Sequence, residues 1–347
     1  MDIKTNESEL KKYQAHKKRR LYIIIGIIIA MCASLLADIL TGPAMLGISD
    51  VINVVFNRQM ADAVNRVIIW DMRIPMALMA IVVGMNLGIS GALMQTILSN
   101  PLSSPYTLGV GAGASFGASF AILFLSGTAF IRSEYIVSIS AFVFSMAACV
   151  VIYLIGRYKR MTTGMIVLAG IAMLFTFQSL QALLQFGASE QELQSIVFWT
   201  FGSLQKVTWM KLGITFFVLL ASAPFIVKNT WKYTALLLGD EKAESLGVNI
   251  SRLKILTYLF ISLLSATAIS FVGSIGFIGL VSPHITRFFV GEDQRYFIPV
   301  SGLIGGLVLS IASIFTKIII PGIIFPIGII TSLIGVPFFF FIIFRHK

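Results

Sequence analysis

Apolar residues in this chain come in unbroken blocks rather than alternating with polar ones. The blocks run to roughly 18–25 residues, the length of helix that crosses about 30 Å of hydrocarbon. They predict about ten spans, near 21–40, 74–98, 107–126, 135–156, 165–186, 209–227, 255–272, 276–289, 299–318 and 324–344. The predicted fold class is therefore an all-α integral membrane protein. The eighth block is the weakest, being short and glycine-rich with Pro283 inside it. That suits a broken or partly re-entrant helix, which is tolerated only where protein or a water-filled path covers it. Residues 1–20 read as a basic N-terminal segment and 21–347 as the membrane domain. The first apolar run is longer than a signal peptide's and reads as a span.

Composition agrees with this pattern. Of 347 residues, 57% are hydrophobic and 12% charged, against about 25% charged in soluble domains. The formal charge of +11 does not point to nucleic acid, because the basic residues sit in short clusters between apolar blocks. With the N-terminus inside, the cytoplasmic segments hold about 19 of the 26 Lys and Arg, and the reverse orientation leaves about 7 there. Both termini are thus expected in the cytoplasm.

No sequence motif suggests catalysis. The chain has no P-loop, no HExxH and no CxxC. Cys32 and Cys149 lie in apolar blocks, and His16, His284 and His346 are scattered, so no metal site or resident cofactor is expected. The span centres carry essentially no ionisable side chain, which argues against ion-coupled transport. Asp38, Arg73 and Lys317 fall near span ends, where side chains can snorkel. Neutral polar residues remain. Gln178, Gln181 and Gln185 share one helix face, as do Asn86 and Ser90. Such groups either bond between helices or line a polar path. Gly84, Gly88 and Gly91, and Gly109, Gly113 and Gly117, are spaced for close helix packing. The longest cytoplasmic connection, 228–254, contains Asp240–Leu246 between Gly239 and Gly247, which suggests one short helix. That helix is either a solvated connector or a docking element.

Four stretches together resemble the FecCD-type permease family of iron-siderophore, haem and vitamin B12 ABC importers. The first runs from Arg73-Ile-Pro-Met through Gly84, Ser90-Gly-Ala-Leu-Met-Gln95 and Asn100-Pro-Leu-Ser-Ser-Pro105. The others are Leu168-Ala-Gly-Ile-Ala172, Leu238-Gly-Asp-Glu-Lys-Ala-Glu-Ser-Leu-Gly-Val-Asn249, and Gly276-Phe-Ile-Gly-Leu-Val-Ser-Pro-His284 with Pro326 to Phe338. The resemblance covers about residues 70–345.

The resemblance implies a transport subunit rather than an enzyme. Two permease subunits, identical or homologous, would enclose one path, with a cytoplasmic ATPase pair and an extracytoplasmic binding protein as partners. It implies ATPase coupling through Gly239, Glu241, Glu244, Leu246 and Gly247. It implies a cytoplasmic gate at Asn100, Pro101 and Leu102 and at Thr162, Thr163 and Gly164. It also implies docking of the binding protein by Arg73 and Lys317 on the outer rim. The chain departs from the family at Met76, where a second basic residue is frequent, and at Ser313, where an acidic one is. Lys317 replaces a frequent Arg and cannot form the bidentate carboxylate pair. A ferric siderophore is the expected cargo, with haem and cobalamin as alternatives.

Overall fold

The computed structural model describes residues 3–44, 46–57, 62–106, 109–125, 133–158, 163–320 and 322–345; at both termini and beside the gaps, some of these are described by backbone alone. The described residues form helices and connections, with no strand among them. The helices are α1 (Ile3–Leu40), α2 (Ile48–Phe56), α3 (Ala63–Arg66), α4 (Ile74–Leu98), α5 (Val110–Phe124), α6 (Ser133–Tyr158), α7 (Thr163–Phe186) and α8 (Glu190–Thr200). They continue with α9 (Trp209–Leu236), α10 (Asp240–Ser245), α11 (Ile250–Val272), α12 (Ile278–Val290), α13 (Gln294–Ile318) and α14 (Ile327–Arg345). A π-helical turn, Val67–Arg73, joins α3 to α4.

Among the described residues, seven segments are long and apolar enough to cross a membrane: Lys17–Leu40, Ala63–Leu98, Tyr135–Ile155, Gly164–Phe186, Trp209–Leu236, Ile250–Val272 and Gln294–Ile318. Three shorter apolar helices, Val110–Phe124, Ile278–Val290 and Ile327–Phe340, fall where the sequence predicts further spans. α12 has 13 residues, about 20 Å at the α-helical rise. Its start is set by the irregular stretch 273–277, where Gly273 takes a left-handed φ of 80° and breaks the helix from α11. α5 is short for a similar reason: Gly109, at φ 77°, is its cap rather than part of it.

α4 is buried along nearly its whole length and forms the axis of the bundle. Its glycines explain how. A Cβ on Gly84 would overlap the Gly305 carbonyl, one on Gly88 the Ser301 carbonyl, and one on Gly91 the Gly279 carbonyl. α4 therefore meets α13 and α12 backbone to backbone, as small residues permit in lipid. Gly113 and Gly117 do the same for α5 against α6, near Phe144 and Ser140. α1 lies on the outside against α13 and exposes Leu21, Tyr22, Ile29 and Leu36. Its base is held by Arg20, which pairs with Asp293 at 3.0 Å and lies over the Tyr296 ring.

Two boundaries differ from expectation. The basic segment is not separate from the first span, because α1 runs unbroken from Ile3. The connection 228–254 is mostly helix. α9 continues to Leu236 because no glycine or proline lies between its predicted end and Gly239.

Candidate functional site

Two ends of the bundle carry distinct features. At one end α9, α10 and α11 build a small protrusion. Six residues cannot hold a helix alone, and the surroundings supply what is missing. Gly239 at φ 97° and Gly247 at φ 83° turn the chain at each end of α10, conformations that side chains other than glycine resist. Ala243 and Val248 are buried beneath it, and Val248 N–H donates to the Ala243 carbonyl. Lys254 Nζ reaches Asp240 at 2.7 Å. The outward surface then presents Glu241, Glu244, Leu237, Leu238 and Leu246, the last 51% exposed. The exposed leucines thus form an apolar patch edged by carboxylates.

The loop after α4 is rigid. Ser99 sits at φ 47°, Asn100 N–H donates to the Gln95 carbonyl, and Asn100 Oδ1 accepts from Leu102 N–H at 2.9 Å. Pro101 and Leu102 project outward. Of the second predicted gate stretch, Thr162 lies outside the described residues. Thr163 opens α7, and Gly164 is exposed with open space around it.

α7 packs mainly on α5 and α6 and leaves much of its surface bare, including Leu168, Phe175 and Leu183. Gln178 is exposed on it, and Gln181 and Gln185 are half-buried. The other predicted polar pair lies elsewhere. Asn86 and Ser90 are fully buried, directed at the carbonyls of Thr215 and Ile261 at 3.4 and 3.5 Å. They bind α4 to α9 and α11 and do not face a path.

Arg73 and Lys317 are buried too, at 5% and 4% exposure. Arg73 donates to the carbonyls of Ile39, Leu40 and Ala44 at 3.1, 3.1 and 2.5 Å. It thus caps the C-terminus of α1, where unpaired carbonyls and the helix dipole favour a cation. Lys317 Nζ pairs with Asp38 Oδ1 at 2.7 Å, and Ser313 Oγ donates to the same oxygen at 3.1 Å. The carboxylate therefore comes from α1 instead of position 313. Snorkelling fails here because each charge finds a partner on a neighbouring helix. Neither cation reaches the rim surface, so the two residues predicted to dock a binding protein act inside this chain as fasteners for α1.

One hollow was not legible in the sequence. Backbone hydrogen bonds knot three distant segments at the end of the bundle opposite α10: Ser203 to Val272, Ile327 to Gly202, and Gly328 to Phe201. Beside this knot lies a pocket of about 570 Å³ lined by Tyr106, Phe201, Phe277, Ser332 and neighbours. A larger hollow of about 1000 Å³ lies between α9 and α13 at the α10 end, with Lys228, Glu292, Asp293 and Arg295 at its rim. Asp293 is held below the usual carboxylate range by hydrogen bonds from Arg295, with Arg20 adding to the effect.

Comparison with known proteins places this arrangement. The FecCD transport family matches residues 26–345. A Methanocaldococcus jannaschii protein described as an ABC transporter permease is 36% identical over 342 residues, 96% of this chain and 97% of its own. An iron(3+)-hydroxamate import system permease of Bacillus subtilis is 31% identical over 365 residues, covering 99% and 92%. A solved structure of an inward-facing ABC transporter, described as metal-chelate type, superposes with a TM-score of 0.82 at 29% identity, over 93% of this chain and 99% of that one.

Proposed function

The chain belongs to the FecCD transport family, and from that premise we propose that it is the permease subunit of a binding-protein-dependent ABC importer, moving a ferric siderophore across the cytoplasmic membrane. The observation that carries this reading is the α10 protrusion: a short helix braced from below, exposing leucines and carboxylates at the end where basic residues concentrate. ATP hydrolysis on a separate ATPase pair pushes there. Glu241, Glu244 and Leu246 make the contact, and Gly239 and Gly247 hold its shape.

In this reading the ten apolar helices all cross, with both termini inside. The short α5 and α12 complete their crossings with irregular backbone covered by protein. Two permeases, identical or homologous, face each other across one path, and the half-bare α7 with Gln178, Gln181 and Gln185 turns toward it. The stiff loop at Asn100, Pro101 and Leu102 and the start of α7 at Thr162, Thr163 and Gly164 form the inner gate. An extracytoplasmic binding protein delivers the solute. Its contacts lie at rim residues other than Arg73 and Lys317, whose cations are engaged within the chain. No resident cofactor takes part.

The test is co-purification. Glu244→Ala with Leu246→Asp leaves the fold intact, since both side chains are exposed, and strips the ATPase from the solubilised complex. Full recovery of the ATPase with the double variant overturns the contact.

A further inference from the structure

We propose that Arg287 and Gln294 are positioning residues of the inner gate: they strap the loop after α4 to the corner between α12 and α13, so that loop and corner move as one body. The proposal rests on the permease reading and adds to it the part that carries the loop.

The strap has two strands, made by neighbouring residues of α4. Gln95 Oε1 accepts from Arg287 Nη2 of α12 at 3.3 Å. Thr96 Oγ1 donates to Gln294 Oε1 of α13 at 3.0 Å. Gln95, Thr96 and Gln294 are all buried, where a hydrogen bond is electrostatically stronger than in water. Gln294 Nε2 in turn donates to the Glu292 carbonyl at 3.1 Å, within the corner itself. Arg287 is held from the other side. Its Nε lies 2.9 Å from Glu292 Oε1, and its guanidinium carbon lies 5.1 Å from the centroid of the Phe297 ring. A planar guanidinium serves an amide, a carboxylate and a ring face together, which a Lys ammonium does less well.

The gate loop hangs from the same residue. The Gln95 carbonyl accepts from Asn100 N–H at 3.1 Å, the bond that folds the loop back on α4. Gln95 therefore grips the loop with its main chain and is itself gripped through its side chain. The corner is stiff. Gly291 turns the chain at φ 75°, and Asp293 caps α13 and pairs with Arg20 of α1. Glu292 to Arg295 also face α9 across the larger hollow, whose other wall includes Thr234 and Leu237 just before α10. The corner thus stands between the proposed ATPase contact and the gate loop.

Packing alone does not call for these groups. Glu292 is exposed, and an ion pair with an exposed partner contributes little to stability. Apolar residues at 96 and 294 would fill the same contact. Directional bonds between buried polar groups do something apolar contact does not, which is to specify one arrangement of the helices. A corner that must carry a loop with it needs that fixed arrangement.

The experiment measures distances between spin labels in the permease–ATPase complex in lipid nanodiscs, without nucleotide and with ATP bound, in a Cys32→Ser background. One pair, Leu102→Cys with Arg295→Cys, spans loop and corner at two exposed side chains. The other, Leu102→Cys with Gly164→Cys, spans the two gate stretches. With the strap intact, the loop–corner distance is expected to be the same in both states while the gate distance shifts. Arg287→Gln combined with Gln294→Leu is expected to broaden the loop–corner distance and abolish the ATP-dependent gate shift in complexes that still hold the ATPase. A loop–corner distance that changes with ATP overturns the proposal, as does a gate distance that never changes; these two measurements decide it even where the double variant does not assemble. A double variant whose gate still follows ATP, with only its melting midpoint lowered, assigns the strap to stability and overturns the proposal too. All three results leave the permease reading standing. A chain that never assembles with an ATPase overturns that reading and this inference with it.

Discussion

Replacing Lys317 with Met removes one half of a pair that no water reaches. Asp38 is fully buried, and its Oδ1 takes Lys317 Nζ at 2.7 Å and Ser313 Oγ at 3.1 Å. Met fills similar volume, so packing changes little. The variant instead strands a carboxylate with one neutral donor. Stranding one partner of a buried pair costs about 3–5 kcal/mol, whereas replacing both with apolar groups is often neutral or stabilising. Asp38→Leu combined with Lys317→Met is therefore expected to recover most of the loss. For a chain of this length, with each kcal/mol shifting the midpoint by about 1–2 °C, the single variant should melt on the order of 5 °C lower. The assay is the melting midpoint of the purified chain in one detergent at one scan rate, because unfolding of such proteins is commonly irreversible. Equal midpoints for the single and double variants would refute the reasoning. Asp38 and Lys317 would then be worth no more as a pair than apart.

Three further outcomes follow from the geometry. Gly91→Leu drives a side chain into the Gly279 carbonyl and should abolish recovery of folded, monodisperse protein; Gly164→Leu, in open space, should not. The pairing of Asp293 with Arg295 and Arg20 lowers its pKa in the fold, so its contribution is complete above the unfolded value of about 4 and is lost as pH falls through the folded one. Asp293→Asn should therefore lie below the native chain in melting midpoint at neutral pH, with the gap closing only below about pH 4; a constant gap down to pH 3 contradicts this. Leucine at Gln178, Gln181 and Gln185 together should slow uptake while leaving ATPase assembly intact, and unchanged uptake would remove α7 from the path.

The apolar blocks located the helices well, because lipid demands long apolar runs and little else disguises them. Helices with mixed surfaces were harder to see. α2 is only nine residues long, too short to stand out as a span. α8 was missed although Ser189 and Glu192 spell its capping box. α10 was legible because two glycines bracket a polar helical stretch. The roles of Arg73 and Lys317 were not. Their position suggested the rim, but their partners, Ile39 and Asp38, lie 34 and 279 residues away in sequence. The pocket at the end opposite α10 was equally hidden. It draws on residues near 106, 200, 276 and 332, and only the backbone knot at Gly202, Val272 and Gly328 brings most of them together.

The central claim is tested most directly by solute uptake into proteoliposomes containing this chain, its co-purified ATPase and the binding protein loaded with radiolabelled ferric siderophore. The account predicts accumulation that requires ATP and all three proteins, and that stops when Glu244 and Leu246 are changed. Accumulation driven by a proton or sodium gradient, with the chain alone and no ATP, would contradict it.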